Sequence, residues 1–274
     1  MADTKDGKDT KDTKDTKGTE AGSDTPTVTH ARHGRVLVIS LRREHKRNAV
    51  DQQISDGIEA ALDVLENDPD LWAGVLTGTS TVFSAGTDLS AGYAPKTERG
   101  GQYGIIRRPR TKPLIAAVEG LALGGGFEIV LACDLVVAAR GARFGLPEVR
   151  RGLLANCGAI FRAPRTLPLN VARELLVTGD PVDAERLHGL GVVNRLADPG
   201  HALDAALELA ERICLNSPTA VSQTLQAVER AVTADDDLGW QATEDGFRTV
   251  TASADAREGL TAFLEKRPPR WTGR

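Results

Sequence analysis

Residues 113–139 read PLIAAVEGLALGGGFEIVLACDLVVAA. Pro113 to Val118 reads as a strand, followed by Gly120, and Leu135 to Ala139 reads as another. Between them, Gly124 to Cys133 is apolar nearly all round, as in a buried helix. Continuously apolar strands that alternate with helices belong to a sheet covered on both faces, so the core is α/β.

The same pattern extends upstream. Val36 to Leu41 is a short run rich in β-branched residues and reads as a strand. Asp51 to Glu66 carries Ile54, Ile58, Leu62 and Leu65 at helical spacing, with Asp51 as the N-cap. Trp72 to Thr77 reads as a further strand ending at Gly78. Downstream the chain turns helical, over Val171–Leu176, Ala184–Leu190, His201–Cys214, Thr219–Ala231, Asp236–Thr251 and Ala254–Lys266, with a short extended piece at Val192–Arg195. The expected layout is an α/β core over 31–197, folded from near Gly34, and a helical region over 198–274.

Residues 1–30 repeat Lys-Asp-Thr and hold almost no large apolar side chain. Such a segment cannot offset its ordering entropy by burial and is expected to be a disordered tail. The remaining composition is that of a globular protein. A net charge of −4 and 4% aromatics argue against a nucleic-acid surface. Cys133, Cys157 and Cys214 form no CxxC pair, which points to reduced thiols rather than a zinc ribbon or redox motif. The polar start has no signal-peptide pattern, and no apolar run approaches the ~20 residues of a membrane span, so a cytoplasmic location is expected.

Chemistry centres on three segments. Gly124, Gly125 and Gly126 open the central helix, where free N–H groups can stabilise an oxyanion or bind phosphate. The GxGxxG and P-loop patterns are both absent. A tight helix-to-strand contact explains the triplet equally well. Glu128 lies in the apolar run that follows, and a buried carboxylate must be paired, hydrogen-bonded or protonated. Glu148, in FGLPE after the Leu135–Ala139 strand, would by itself be an ordinary first-turn acid. If the two converge, one carboxylate can activate water while the other delivers a proton. The third segment, Phe83–Leu89 (FSAGTDL), is a small-residue turn whose N–H groups can face a ligand. Ser84 lacks a GxSxG context, and the five histidines lie in tail, loop or solvated-helix positions, so none is assigned a catalytic role.

Taken in order, LRREHKRNAV, FSAGTDL, KPLIAAVEGLALGGGFEIVLACDLVVAA, ARFGLPEVRRGL, LLVTGDPVDAERLHGLGVVNRL and AFLEKRPPRW resemble the enoyl-CoA hydratase/isomerase, or crotonase, family over residues 34–270. The resemblance implies a ClpP-like spiral of ββα units with a C-terminal helical trimerisation region, trimers that pair into hexamers, and an acyl-CoA substrate. It implies an oxyanion hole made by the N–H groups of Thr87 and Gly125, with Glu128 and Glu148 as the acid–base pair of a hydratase. It places coenzyme A near Lys46, Ala49, Ala85, Gly86, Asp88 and Gly124, with Phe263 and Lys266 reaching the coenzyme A of a neighbouring subunit. Coenzyme A enters as part of the substrate, and no metal or redox cofactor is required. The sequence departs from the family pattern at Asn156, where a glycine often helps hold the catalytic water. A double-bond isomerase, another crotonase of secondary metabolism, and a non-catalytic acyl-CoA-binding trimer remain as alternatives.

Overall fold

The computed structural model describes residues 1–2, 26–91, 94–233 and 235–271 of the 274-residue chain. The Lys-Asp-Thr tail lies almost wholly outside the described residues. In chain order the first elements are β1 (Val28–His33), β2 (Val36–Leu41), α1 (Gln52–Asn67), β3 (Ala73–Thr77), β4 (Val82–Ser84), β5 (Lys96–Thr97) and β6 (Gly101–Gln102). The central part holds β7 (Leu114–Val118), β8 (Leu121–Leu123), α2 (Gly125–Leu131), β9 (Leu135–Ala139) and β10 (Arg143–Gly145). There follow α3 (Ala159–Thr166), α4 (Leu169–Thr178), β11 (Val182–Asp183), α5 (Ala184–Gly189) and β12 (Arg195–Ala197). The chain ends with α6 (Ala202–Cys214), α7 (Pro218–Val232), α8 (Asp236–Ala252) and α9 (Ala254–Leu264).

Two sheets organise the core. The larger has the order β1-β2-β3-β7-β9-β12 and is parallel except for the β1–β2 hairpin. The smaller has the order β11-β10-β8-β4, with β4, β8 and β10 parallel. Each of β3, β7 and β9 is followed within a few residues by a short strand of the second sheet. The chain therefore climbs as ββα-type units, and the ends of β4, β8 and β10 stack on one side, where the candidate site lies.

Burial explains the unbroken apolar strands. Leu114, Ala116 and Val118 of β7 face one apolar cluster together with Ile54, Ile58, Leu62 and Leu65 of α1. Ile115 and Ala117 face a second cluster with Val75, Val137 and the α6 residues Ala206 and Ala210. Alternate residues thus enter different cores, as strand geometry requires. Asp51 caps α1 by accepting the Ile54 N–H at 3.0 Å, a contact worth about 1 kcal/mol.

Three placements differ from the sequence expectation. Folded structure starts at Val28 rather than near Gly34, because β1 pairs antiparallel along the whole of β2. The helix α6 packs across β3, β7 and β9, so the α/β layer continues beyond residue 197. The extended piece expected over 192–195 falls at β12, Arg195–Ala197. Among the described residues no helix is long and apolar enough to cross a membrane. The three cysteines are free thiols.

Candidate active site

Two backbone segments meet at the head of α2. Gly86 has φ +89°, and a Cβ on it would lie 2.8 Å from the Gly125 nitrogen and 2.8 Å from the Leu123 oxygen. Only glycine accommodates both the dihedral and the approach. Gly124 has φ +55°, and a Cβ there would lie 3.2 Å from Glu148 Oε1. The N–H groups of Thr87 and Gly125 face no protein acceptor among the described residues. They are therefore available to an oxygen of a ligand.

The 84–88 turn is held from behind by the loop after β2. Gly86 O accepts the Val50 N–H at 2.7 Å, and the Asp88 N–H donates to Val50 O at 2.9 Å. Asn48 is fully buried and donates to Val82 O and Phe83 O, while its Oδ1 accepts the Arg43 N–H. Arg43 ties Asp88 at 2.7 Å, Ala49 O at 2.8 Å and Asp51 at 3.3 Å. The Ser90 hydroxyl and then Arg43 hold the Asp88 carboxyl below the usual carboxylate range, despite its desolvation. The Asp88 side chain thus braces the turn.

Glu128 sits in the first turn of α2 and is 1% exposed. Its Oε1 accepts two backbone N–H groups, from Cys157 at 2.7 Å and Ala159 at 3.1 Å. Glu148, in the 3-10 turn Pro147–Arg151, has a buried Oε2 with no protein partner. Burial pushes both carboxyls up from the ordinary range toward neutrality. For Glu148 the charge of Glu128 adds to the effect, whereas Arg151 opposes it. The two carboxyls therefore act on each other electrostatically, and the pair favours holding a proton near neutral pH. Asn156 is half-buried and follows Ala155 in the loop before Cys157, and its Oδ1 lies 3.3 Å from Cys157 Sγ.

Three residues here went unrecognised in the sequence. Tyr103 is 1% exposed, and its hydroxyl lies 2.7 Å from Thr87 Oγ1. Burial, then the neighbouring Cys157 and Glu128, push its pKa well above the usual phenol value. Cys157 is buried and is raised by desolvation first and by Glu128 second. Arg162 donates to Ile106 O at 2.7 Å, and its charge favours an ionised Glu128. Cys157 and Arg162 come from the loop before α3 and from α3 itself, a helix the apolar periodicity did not reveal. No sequence signal marked Tyr103, whose surroundings are glycine- and arginine-rich.

The residues expected to hold coenzyme A fall in two groups. Lys46 and Ala49 adjoin Ala85, Gly86 and Asp88, since Ala85 N–H donates to Arg47 O at 3.0 Å. Phe263 and Lys266 lie at the end of α9, which packs on the Pro147–Arg151 turn of its own chain. The Phe263 ring lies under the Arg151 guanidinium and joins Leu123, Pro147 and Arg151 in lining a cavity. Lys46 and Lys266 are exposed, and neither has an acidic partner within ion-pair distance among the described residues.

The α/β core of ββα-type units thus brings two carboxyls close to a pair of N–H groups that lack a protein acceptor among the described residues. The chain belongs to the enoyl-CoA hydratase/isomerase family, whose model matches residues 31–274. Within the crotonase superfamily it is a hydratase-like member. It is 37% identical over 261 residues to a carnitinyl-CoA dehydratase of Citrobacter koseri, covering 89% of this chain and 97% of the relative. It is 33% identical over 244 residues to a short-chain-enoyl-CoA hydratase of Clostridium acetobutylicum, covering 86% and 94%. The solved structure of a carnitinyl-CoA hydratase from Mycobacterium avium superposes with a TM-score of 0.87 at 39% identity, covering 91% of this chain and all of that one.

Proposed function

We propose that this protein adds water across the 2,3 double bond of a trans-2-enoyl-CoA to give a 3-hydroxyacyl-CoA. The observation that carries the reading is the unequal environment of two carboxyls at one site. Glu128 Oε1 accepts two N–H groups, which favours its anion, whereas the buried Oε2 of Glu148 has no partner, which favours its acid. In the proposed reaction the thioester oxygen accepts the N–H groups of Thr87 and Gly125. Water attacks the β-carbon while Glu128 takes its proton. The π electrons shift toward the carbonyl, and the α-carbon then takes the proton of Glu148. One proton enters the Glu pair and one leaves it, so the charge of the site is restored over the cycle. The same groups in reverse remove water from a 3-hydroxyacyl-CoA.

Coenzyme A is proposed to lie along Lys46–Ala49 and Ala85–Asp88, arriving with the acyl group rather than as a resident cofactor. Isomerisation of a 3-enoyl-CoA needs only one carboxyl, and a binding protein needs neither. Two carboxyls both raised toward neutrality favour hydration over either. The test is loss of enoyl-thioester absorbance with crotonyl-CoA and longer or ring-bearing homologues, with product mass. A gain of one water in the product supports hydration. Mass-neutral turnover, or tight binding with no turnover across the panel, would overturn it.

A further inference from the structure

We propose that Tyr103 is a positioning residue that keeps the Thr87 and Gly125 segments at the spacing their two N–H groups need. This rests on the reading of those groups as the carbonyl-binding pair.

Tyr103 touches both segments at once. Its hydroxyl is 2.7 Å from Thr87 Oγ1. A Cβ on Gly125 would lie 2.3 Å from the Tyr103 hydroxyl, 2.5 Å from Cζ and 2.8 Å from Cε2, so the ring end rests against the Gly125 Cα. Thr87 and Gly125 belong to different ββα units, and Tyr103 closes the gap between them from a third segment. A shift of either segment must displace a buried ring in a close-packed interior, which is strongly resisted.

The residue is itself held under strain. Tyr103 has φ +58°, a region that a bulky residue rarely adopts and that persists only where surrounding contacts impose it. Its N–H donates to Pro95 O at 2.9 Å. The β5–β6 hairpin that precedes it is tied to α1, where Glu59 Oε2 accepts from Thr97 Oγ1 and the Arg99 N–H. The phenol is fully buried beside Cys157 and Glu128, so it stays protonated across the assay range and keeps its hydrogen bond to Thr87. Strain at a residue that contacts both donor segments is accounted for by the placement it secures.

The experiment separates this role from the proposed activity. 4-Dimethylaminocinnamoyl-CoA is a chromophoric thioester that absorbs at longer wavelength as its carbonyl is polarised. With wild-type protein at saturation the band should move to the red, and with Tyr103→Phe the shift should shrink while melting temperature stays close to wild type. In steady state Tyr103→Phe should lower kcat about 10-fold with little change in KM, less than the 10²–10³ of losing a donor outright. Thr87→Val, which keeps the backbone N–H, should lower kcat similarly, and the double variant should lose no more than either single one. A Tyr103→Phe protein with the full red shift and full kcat would overturn the positioning role while leaving the carbonyl-binding pair intact, and additive losses in the double variant would overturn the Tyr103–Thr87 contact as its basis. A wild type that shows no red shift would overturn the carbonyl-binding pair itself, and the role of Tyr103 with it.

Discussion

The backbone of Cys157 holds the carboxylate of Glu128, whose Oε1 accepts the Cys157 N–H at 2.7 Å. Ala159 adds a second N–H at 3.1 Å, while the facing Glu148 keeps an unpartnered oxygen. An amide can still accept both N–H groups but cannot take up a proton. Glu128→Gln should therefore fold normally and lose about 10²–10⁴ in kcat. Glu148→Gln should lose a similar factor. Crotonyl-CoA kinetics with thermal melts check both, and two fully active variants would remove the pair from the mechanism.

The raised carboxyls give a pH dependence with a definite sign. If Glu128 acts as the anion and Glu148 as the acid, kcat/KM should peak where the pair holds one proton. It should fall on the acid side as Glu128 gains a proton and on the alkaline side as Glu148 loses its own. Stability follows from the same shift. Glu148 rises from 4.5 on folding, so the folded state binds its proton more tightly than the unfolded state. That contribution is fully present below the unfolded value and is lost as pH rises through the folded one. Glu148→Gln removes the loss, so its melting temperature should gain on wild type from about pH 4.5 up through neutrality and then level off. Parallel melting curves at all pH values would contradict this.

At Gly86 the two donor segments approach closely. Alanine there must place a methyl 2.8 Å from the Gly125 nitrogen while holding φ +89°. The strained dihedral alone costs about 1–3 kcal/mol, and relief requires the segments to part. Gly86→Ala should lower the melting temperature and reduce kcat at least 100-fold, since loss of a donor is worth about 10²–10³. Wild-type kcat in a less stable protein would show that this spacing does not govern the reaction.

The large sheet was legible because every inner strand is apolar on both faces, as Leu114 to Val118 show by splitting between two cores. The second sheet was not. Val82–Ser84, Leu121–Leu123 and Arg143–Gly145 are three-residue strands without a readable period. Glu128 was visible as a carboxylate in an apolar run, and Glu148 through its motif. Tyr103 was invisible, because its contacts to Thr87 and Gly125 are made through a left-handed turn that no local pattern encodes. The bonds of the Asp88 carboxylate to Arg43 and Ser90 were likewise unmarked, since Arg43 is 45 residues away in the chain.

The long helix α7 has no buried residue within one chain, and Val228 and Val232 are more than half exposed. A helix of this length is marginal unless an apolar face is covered. If the trimer that the family resemblance implies supplies that cover, Val228→Asp together with Val232→Asp should shift sedimentation toward the monomer. An unchanged oligomer would place the subunit contact elsewhere.

Asn48 joins the loop after β2 to the site. It is fully buried at φ +50°, donates to Val82 O at 3.1 Å and Phe83 O at 3.0 Å, and accepts the Arg43 N–H at 2.8 Å. Asn48→Ala removes a donor from Phe83 O and the acceptor of the Arg43 N–H, while Val82 O keeps the Thr79 N–H, and each buried group left unsatisfied costs about 1–3 kcal/mol. Alanine also tolerates the left-handed dihedral less well than asparagine. The loop carries Arg43, which braces Asp88, and Val50, which pairs with Gly86, so its loosening reaches the Thr87 N–H directly. Asn48→Ala should therefore be markedly less stable, and any folded fraction should show a raised KM for enoyl-CoA along with reduced kcat. Asn48→Asp keeps an acceptor for the Arg43 N–H but sets a buried carboxylate against two carbonyl oxygens, so it should melt no higher than the alanine variant. If the alanine variant melts like wild type, the three hydrogen bonds do not anchor the turn, and the route from this loop to the donor pair fails with them.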